Sequence, residues 1–219
     1  MREVEIVGDR VIKCTTLQEA RNLEYVQNKV SCPKIYDYYT KDSKFYIEME
    51  YIAGKTLYDI LPELSEEQKQ TVTDNIVNEL NKLKEETSNE ICGIDGTTIY
   101  GPLIDHMKFE SEREFNKHIS SYLKIDPRLV RFGELVLPTD SIICLRHGDL
   151  NCHNIIVKDD MSVVLIDWEY MAFLPEYWDL MKLFLVGPMD NEAPMLVFNT
   201  SVNKKALLIY TLIINFMYG

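Results

Sequence analysis

Two short apolar runs in the second half of the chain, Ile155–Val157 (IIV) and Val163–Ile166 (VVLI), are β-branched, too short for helices, and separated by the turn-like KDDMS. They predict a β-hairpin. Asn154 stands just before its first strand and Asp167 just after its second, so both side chains are expected at the same end. Near the N-terminus, VEIVGDRVIKC (Val4–Cys14) reads as two strands joined at Gly8-Asp9, a turn pair suited to a tight hairpin. CPKIYDYY (Cys32–Tyr39) and KFYIEMEYIAG (Lys44–Gly54) add two more, the latter alternating Phe45, Ile47 and Met49 against Tyr46, Glu48 and Glu50. Between these pairs, Leu17–Lys29 has helical character, with Thr16 as N-cap and Glu19 at the capping-box position.

From Ser65 onward the period becomes helical. SEEQ is a second capping box, and Val72, Ile76, Leu80 and Leu83 recur as a stripe to be buried. Asn89–Pro102 is rich in turn formers and predicts a loop with short strands. Met107–Leu123 predicts another amphipathic helix, with Phe115, Ile119, Tyr122 and Leu123 on one side. A small sheet with one helix, followed by a mainly helical part, gives an α+β class.

Composition narrows the partners. The 219 residues are 46% hydrophobic and 26% charged, an ordinary balance for a globular protein, and the net charge is -12. Such an acidic chain is poorly suited to nucleic acid or an anionic membrane, both of which need basic surface, whereas it suits a cationic small molecule. Five cysteines, odd in number and without a CxxC pair, suggest neither a disulfide framework nor a zinc site and point to a reducing, cytoplasmic compartment. Cys152 and His153 are neighbours without zinc-ligand spacing, and His106 and His118 lack metal partners in the sequence. The opening MREVEIVGDR carries charge where a signal peptide needs an apolar core. Ala206–Gly219, the most apolar stretch, is fourteen residues long, short of the roughly twenty that span a bilayer, so a buried terminal helix is expected.

The chemistry concentrates in HGDLNCHNIIVKDDMSVVLIDWE, His147–Glu169. An amide oxygen at Asn154 and a carboxylate at Asp167 can together hold Mg²⁺, a hard ion that binds through oxygen ligands and substrate phosphates. Asp149, on the loop before the hairpin, is placed to meet a substrate hydroxyl. The Asp149 to Asn154 spacing equals that of the protein-kinase catalytic loop, with HGD in place of HRD and DWE in place of DFG.

HGDxxxxN, an apolar strand and DWE together resemble the aminoglycoside phosphotransferase and choline kinase superfamily, the small-molecule branch of the protein-kinase-like fold. That resemblance implies a bilobal protein-kinase-like fold: an N-terminal nucleotide-binding lobe over residues 1–52 and a catalytic and acceptor-binding lobe over residues 53–219. It implies ATP- and Mg²⁺-dependent transfer of a phosphoryl group to a hydroxyl of a small molecule, that is, a small-molecule kinase. Asp149 would position and deprotonate the hydroxyl as catalytic base, Asn154 and Asp167 would be the metal ligands, and His147 a support for the loop. Lys13 would orient the nucleotide phosphates with Glu19 as its partner and Glu24 as the alternative, both glutamates also reading as a solvated helix face. The hinge at Glu50, Tyr51 and Ile52 would meet the adenine edge, and Asp179 would brace the catalytic loop. No GxGxxG follows the first strand.

Three rival readings stay open at this point. A protein kinase is disfavoured because no DFG, APE or recognisable activation segment follows Asp167. A non-catalytic nucleotide-binding scaffold is disfavoured because Lys13, Asp149, Asn154 and Asp167 are all present. The aromatic set Trp168, Tyr170, Phe173, Tyr177 and Trp178 reads first as core, with a cation–π cage for an ammonium acceptor as the alternative.

Overall fold

In the computed structural model, which describes residues 3–101, 103–123, 127–185, 205–206, 208–209 and 211–213, the N-terminal strand pair forms as expected. β1 (Val4–Val7) and β2 (Arg10–Thr15) are antiparallel and pair Val7 with Arg10 around Gly8, whose φ of 64° only glycine adopts without cost. α1 (Leu17–Val26) starts where Thr16 caps it, the Thr16 hydroxyl accepting the Glu19 N–H at 3.3 Å. It stops three residues short of the predicted Lys29, because the chain turns after its C-cap, Gln27. β3 (Ile35–Lys41) and β4 (Lys44–Glu50) follow, then the two-residue β5 (Lys55–Thr56), α2 (Leu57–Ile60) and α3 (Glu66–Lys84). The Ser65 box is reciprocal: Gln68 N–H donates to the Ser65 hydroxyl and Ser65 N–H to the Gln68 amide oxygen. Val72, Ile76, Leu80 and Leu83 are all buried.

The chain continues through β6 (Ile99–Gly101), β7 (Ile104–Met107), α4 (Glu112–Ser120), α5 (Pro127–Val136) and β8 (Ile143–Arg146). Here the predicted helix from Met107 is corrected. Met107 ends a strand, and Ile91 and Phe109 exchange backbone hydrogen bonds at 2.9 Å in each direction, which holds Phe109 extended. The helix begins only at its cap, Ser111, whose hydroxyl accepts the Glu114 N–H. β9 (Ile155–Val157), β10 (Val163–Leu165), β11 (Ala172–Pro175) and α6 (Trp178–Leu185) complete the labelled elements. Lys205–Ala206, Leu208–Ile209 and Thr211–Ile213 are helical, with Ala206, Ile209 and Ile213 buried; the remainder of the predicted terminal helix lies outside the described residues. Among the described residues, no helix is long and apolar enough to cross a membrane.

Two compact units emerge, Met1–Leu83 with Cys152–Tyr170, and Lys84–Asn151 with Met171–Gly219. The first holds an antiparallel sheet in the order β1-β2-β4-β3 and a second sheet in the order β10-β9-β5. In the second sheet, Gly54 is required by close approach: a Cβ there would lie 2.6 Å from both the Val157 carbonyl oxygen and Ile156 Cγ2, at a φ of 154°. The second unit pairs β8 with β11 and buries Phe109, Phe115, Ile119, Leu174, Trp178 and Met181 in one core.

Gly54→Ala should therefore destabilise by about 3 kcal/mol or more, adding overpacking to backbone strain. Gly8→Ala, with open space around it, should cost only the strain, about 1–2 kcal/mol. Urea denaturation of the two variants measures the difference.

Candidate active site

In the first unit, β2 delivers Lys13, which is 7% exposed, to two carboxylates. Its ammonium Nζ donates to Glu19 Oε1 at 2.7 Å and to Asp167 Oδ1 at 2.9 Å. Burial works against the Lys13 charge, but Glu19 and Asp167 outweigh it and its pKa is raised. Glu19 is also raised, chiefly by burial and further by Asp167, with Lys13 opposing. The two directions are compatible: the one cation is shared with Asp167 and does not fully offset the burial of Glu19.

The positions follow from local structure. Glu19 lends its backbone N–H to the helix cap, which leaves its carboxylate to receive Lys13 and the Thr15 hydroxyl. One turn on, the fully buried Asn22 donates to the carbonyls of Trp168 (2.8 Å) and Glu169 (3.3 Å), so a single face of α1 grips the DWE segment. Asp167 itself has a φ of 66°, the left-handed region that Asp tolerates better than most residues, and turns the chain directly after β10. The Ile166 N–H donates to the Asn154 carbonyl at 3.0 Å, which brings Asn154 and Asp167 to one end of the β9–β10 hairpin, as the sequence predicts.

Glu169 is the residue that sequence reasoning missed here. Its carboxylate lies with those of Glu19 and Asp167 within a 4.8 Å cluster of oxygen atoms. Two of these three carboxylates pair with Lys13, and this concentration of hard, anionic oxygen fits Mg²⁺. The signal was the acidic residue inside DWE itself, two positions after Asp167.

In the second unit, β8 leads into the His147–Asn151 loop, and α6 holds that loop. Asp179, fully buried, accepts the backbone N–H groups of His147 (2.9 Å) and Gly148 (3.0 Å), while Trp178 Nε1–H donates to the Gly148 carbonyl (2.9 Å). This is the brace expected of Asp179. Gly148 takes a φ of 87°, which explains a glycine between His147 and Asp149. Buried His147 accepts the Asp149 N–H on Nδ1 at 3.4 Å, in keeping with a supporting place. Asp149 pairs with Lys182 Nζ at 2.9 Å, a second residue absent from the sequence reading. Its signal was the spacing to Asp179, which puts both on one face of α6.

Other expectations sort out by burial. Glu24 is exposed, whereas Glu19 meets Lys13. In the hinge, the Glu50 N–H donates to Lys34 and the Tyr51 N–H to Asp9, whereas no hydrogen bond engages Ile52 among the described residues. Glu50, Tyr51 and Ile52 border a surface hollow of about 510 Å³ with Gly54, Lys158 and Asp160. Trp168, Tyr177 and Trp178 are at most 4% exposed, and Trp178 packs on Phe115 with ring centroids 5.5 Å apart, so these three rings are core, whereas Tyr170 and Phe173 of the same set are half-buried. Cys152 is a buried free thiol whose pKa burial pushes up to about 11.

The profile of the phosphotransferase enzyme family matches residues 15–197, a span holding Glu19, Asp149, Asn154 and Asp167. The chain belongs to that family. Lys13 lies two residues outside the matched span of this phosphotransferase-family chain, and no curated protein matches by sequence. Among solved structures, aminoglycoside phosphotransferase APH(4)-Ia is similar with a TM-score of 0.66 at 17% identity, over 99% of this chain and 80% of that one. Aminoglycoside-3'-phosphotransferase of type VIII gives 0.58 at 15% identity, over 98% and 93%. APH(3'')-Id from Streptomyces rimosus, in complex with ADP and streptomycin, gives 0.56 at 15% identity, over 99% and 93%. The fold is thus the kinase-like α+β fold of the aminoglycoside phosphotransferases.

Lys13→Met should destabilise the protein by about 3 kcal/mol at pH 8, the cost of leaving the buried Glu19 carboxylate unpaired. Glu19 has a folded-state pKa above its unfolded value of 4.5, so its ionisation penalty is full above the folded pKa and vanishes as pH falls toward 4.5. Urea titrations at pH 8 and pH 5 should accordingly show a smaller loss at the lower pH.

Proposed function

We propose that the protein is an ATP- and Mg²⁺-dependent phosphotransferase that moves the γ-phosphoryl group to a hydroxyl of a small molecule. The observation that carries this is the Lys13 ammonium held at 2.7 Å from Glu19 and 2.9 Å from Asp167. A lysine placed in this way neutralises nucleotide phosphates, and its carboxylate partners keep it charged and oriented. Residues 1–52 supply the nucleotide-binding lobe, with the Ile52 backbone, beside Glu50 and Tyr51, as the group that meets the adenine edge. Residues 53–219 supply the catalytic and acceptor-binding part. Support comes from structures of related fold: a thermostable APH(4)-Ia variant forms a ternary complex with ADP and hygromycin B, and the Streptomyces rimosus enzyme is complexed with ADP and streptomycin.

In this reading Asn154, Asp167 and Glu169 hold the metal. Mg²⁺ bound there would offset the charge of the phosphate oxygens. Asp149 orients the acceptor hydroxyl and takes its proton as the new oxygen–phosphorus bond forms and the bond to the ADP oxygen breaks. In a loose transition state the hydroxyl keeps its proton until late, so orientation by Asp149 contributes alongside basicity. The hydrogen bonds from His147 and Gly148 to Asp179 keep the backbone under Asp149 in one conformation.

Two variants test the assignment. Asp167→Ala should lose Mg-dependent nucleotide binding in calorimetry, and wild-type affinity in that variant would remove Asp167 from the metal set. Asp149→Asn should keep Mg-ATP affinity while kcat drops about a hundred- to ten-thousand-fold. Equal ATP consumption by wild type and Asp149→Asn across a panel of hydroxylated acceptors would reject the phosphotransferase reading.

A further inference from the structure

Resting on that reading, we infer that Lys182 sets the class of acceptor: by neutralising Asp149 it disfavours an ammonium next to the reacting hydroxyl and favours a neutral or anionic neighbour.

The ion pair is short, with Lys182 Nζ 2.9 Å from Asp149 Oδ1, and poorly hydrated, with the two side chains 14% and 25% exposed. Screening by water is weak at such exposure, so the pair acts on a nearby ligand as a dipole with its positive end on the lysine. Lys182 sits on α6 three residues after Asp179. The Asp179 oxygens accept the N–H groups of His147 and Gly148, and Lys182 pairs with Asp149. The other Asp149 oxygen, Oδ2, lies 3.4 Å from the Asn151 amide. Asp149 is thus held from two sides, its backbone fixed through Asp179 and its carboxylate through Lys182.

A solitary catalytic carboxylate attracts cations to the hydroxyl it orients. Here that attraction is spent on a residue of the protein itself. An acceptor ammonium close to Asp149 would meet the Lys182 charge at short range, and like-charge juxtaposition of this kind disfavours the wrong partner. An ammonium group has three N–H donors, and one of them serves Asp149. The others suit a carboxylate, phosphate or hydroxyl on the carbon next to the reacting alcohol. The overall charge of -12 favours a cationic acceptor at long range, but contact at the site decides selectivity, because a charge-assisted hydrogen bond acts unscreened.

The test uses matched short alcohols that carry a carboxylate, a second hydroxyl or an ammonium beside the reacting hydroxyl. Each is assayed at saturating Mg-ATP with wild type, Lys182→Met and Lys182→Arg. Wild type should rank the anionic and neutral compounds above the amine. Lys182→Met should lose about tenfold or more in kcat/KM on the anionic compound, mainly through KM, while improving on the amine, as expected for removal of one charged contact. Lys182→Arg should restore the ranking. A uniform loss by Lys182→Met on all three compounds, or a wild-type preference for the amine, overturns the inference and leaves the phosphotransferase reading standing. Wild type that binds Mg-ATP and phosphorylates none of them, nor any wider panel, overturns both.

Discussion

A buried lysine ammonium is tolerated only when its charge is met, because withdrawing it from water costs several kcal/mol. Lys13 meets that requirement through Glu19 and Asp167, and the requirement reaches well beyond the pair. β2 must present Lys13 on its inner face, α1 must start at Thr16 so that Glu19 faces back, and the chain must turn at Asp167 directly after β10. A one-residue slip in β2 would send Lys13 to the opposite face of the sheet and leave two carboxylates uncompensated. The same α1 face carries Asn22 to the backbone of Trp168 and Glu169, so the segment with the candidate metal carboxylates is held by main chain as well as by charge.

The His147–Asn151 loop obeys a related rule. Buried backbone N–H groups need partners, and a loop cannot supply them from a ladder of its own. Asp179 provides both acceptors for His147 and Gly148 from the first turn of α6, and Trp178 satisfies the Gly148 carbonyl. One short helix therefore determines the path of the loop, and through Lys182 the setting of the Asp149 carboxylate as well. In the proposed function such rigid support would serve the orientation of a hydroxyl, since small misplacement of reacting atoms is costly.

Burial also separates structural from chemical use of the same residue types. Trp168 and Trp178 bring bulk and an indole N–H each, and both N–H groups end on backbone carbonyls, Leu165 and Gly148. Their rings are committed to packing. The acidic residues divide similarly: Asp179 is fully enclosed and satisfied by backbone, whereas Asp149 and Asp167 keep 25% and 34% of their side chains exposed.

What could be read in the sequence was whatever is governed by neighbours along the chain. The IIV and VVLI hairpin with Asn154 and Asp167 at its end, the caps at Thr16 and Ser65, the stripe Val72, Ile76, Leu80 and Leu83, and the HGDxxxxN spacing all rest on side chains within a few positions of one another. Periods of two and 3.6 residues and capping hydrogen bonds act at that range. Contacts between distant segments, apart from the Asp179 brace that the resemblance implies, were decided by the tertiary structure. Lys13 meets Asp167 across 154 residues of sequence, Glu169 joins Glu19 and Asp167 in one carboxylate cluster, and Lys182 reaches Asp149 from a different element. The helix predicted from Met107 failed for the same reason, since Phe109 is held extended by Ile91. Local patterns specify elements because their energies are summed over adjacent residues. The partner of a charge depends on which segments packing brings together, and no pattern along the chain encodes that distance.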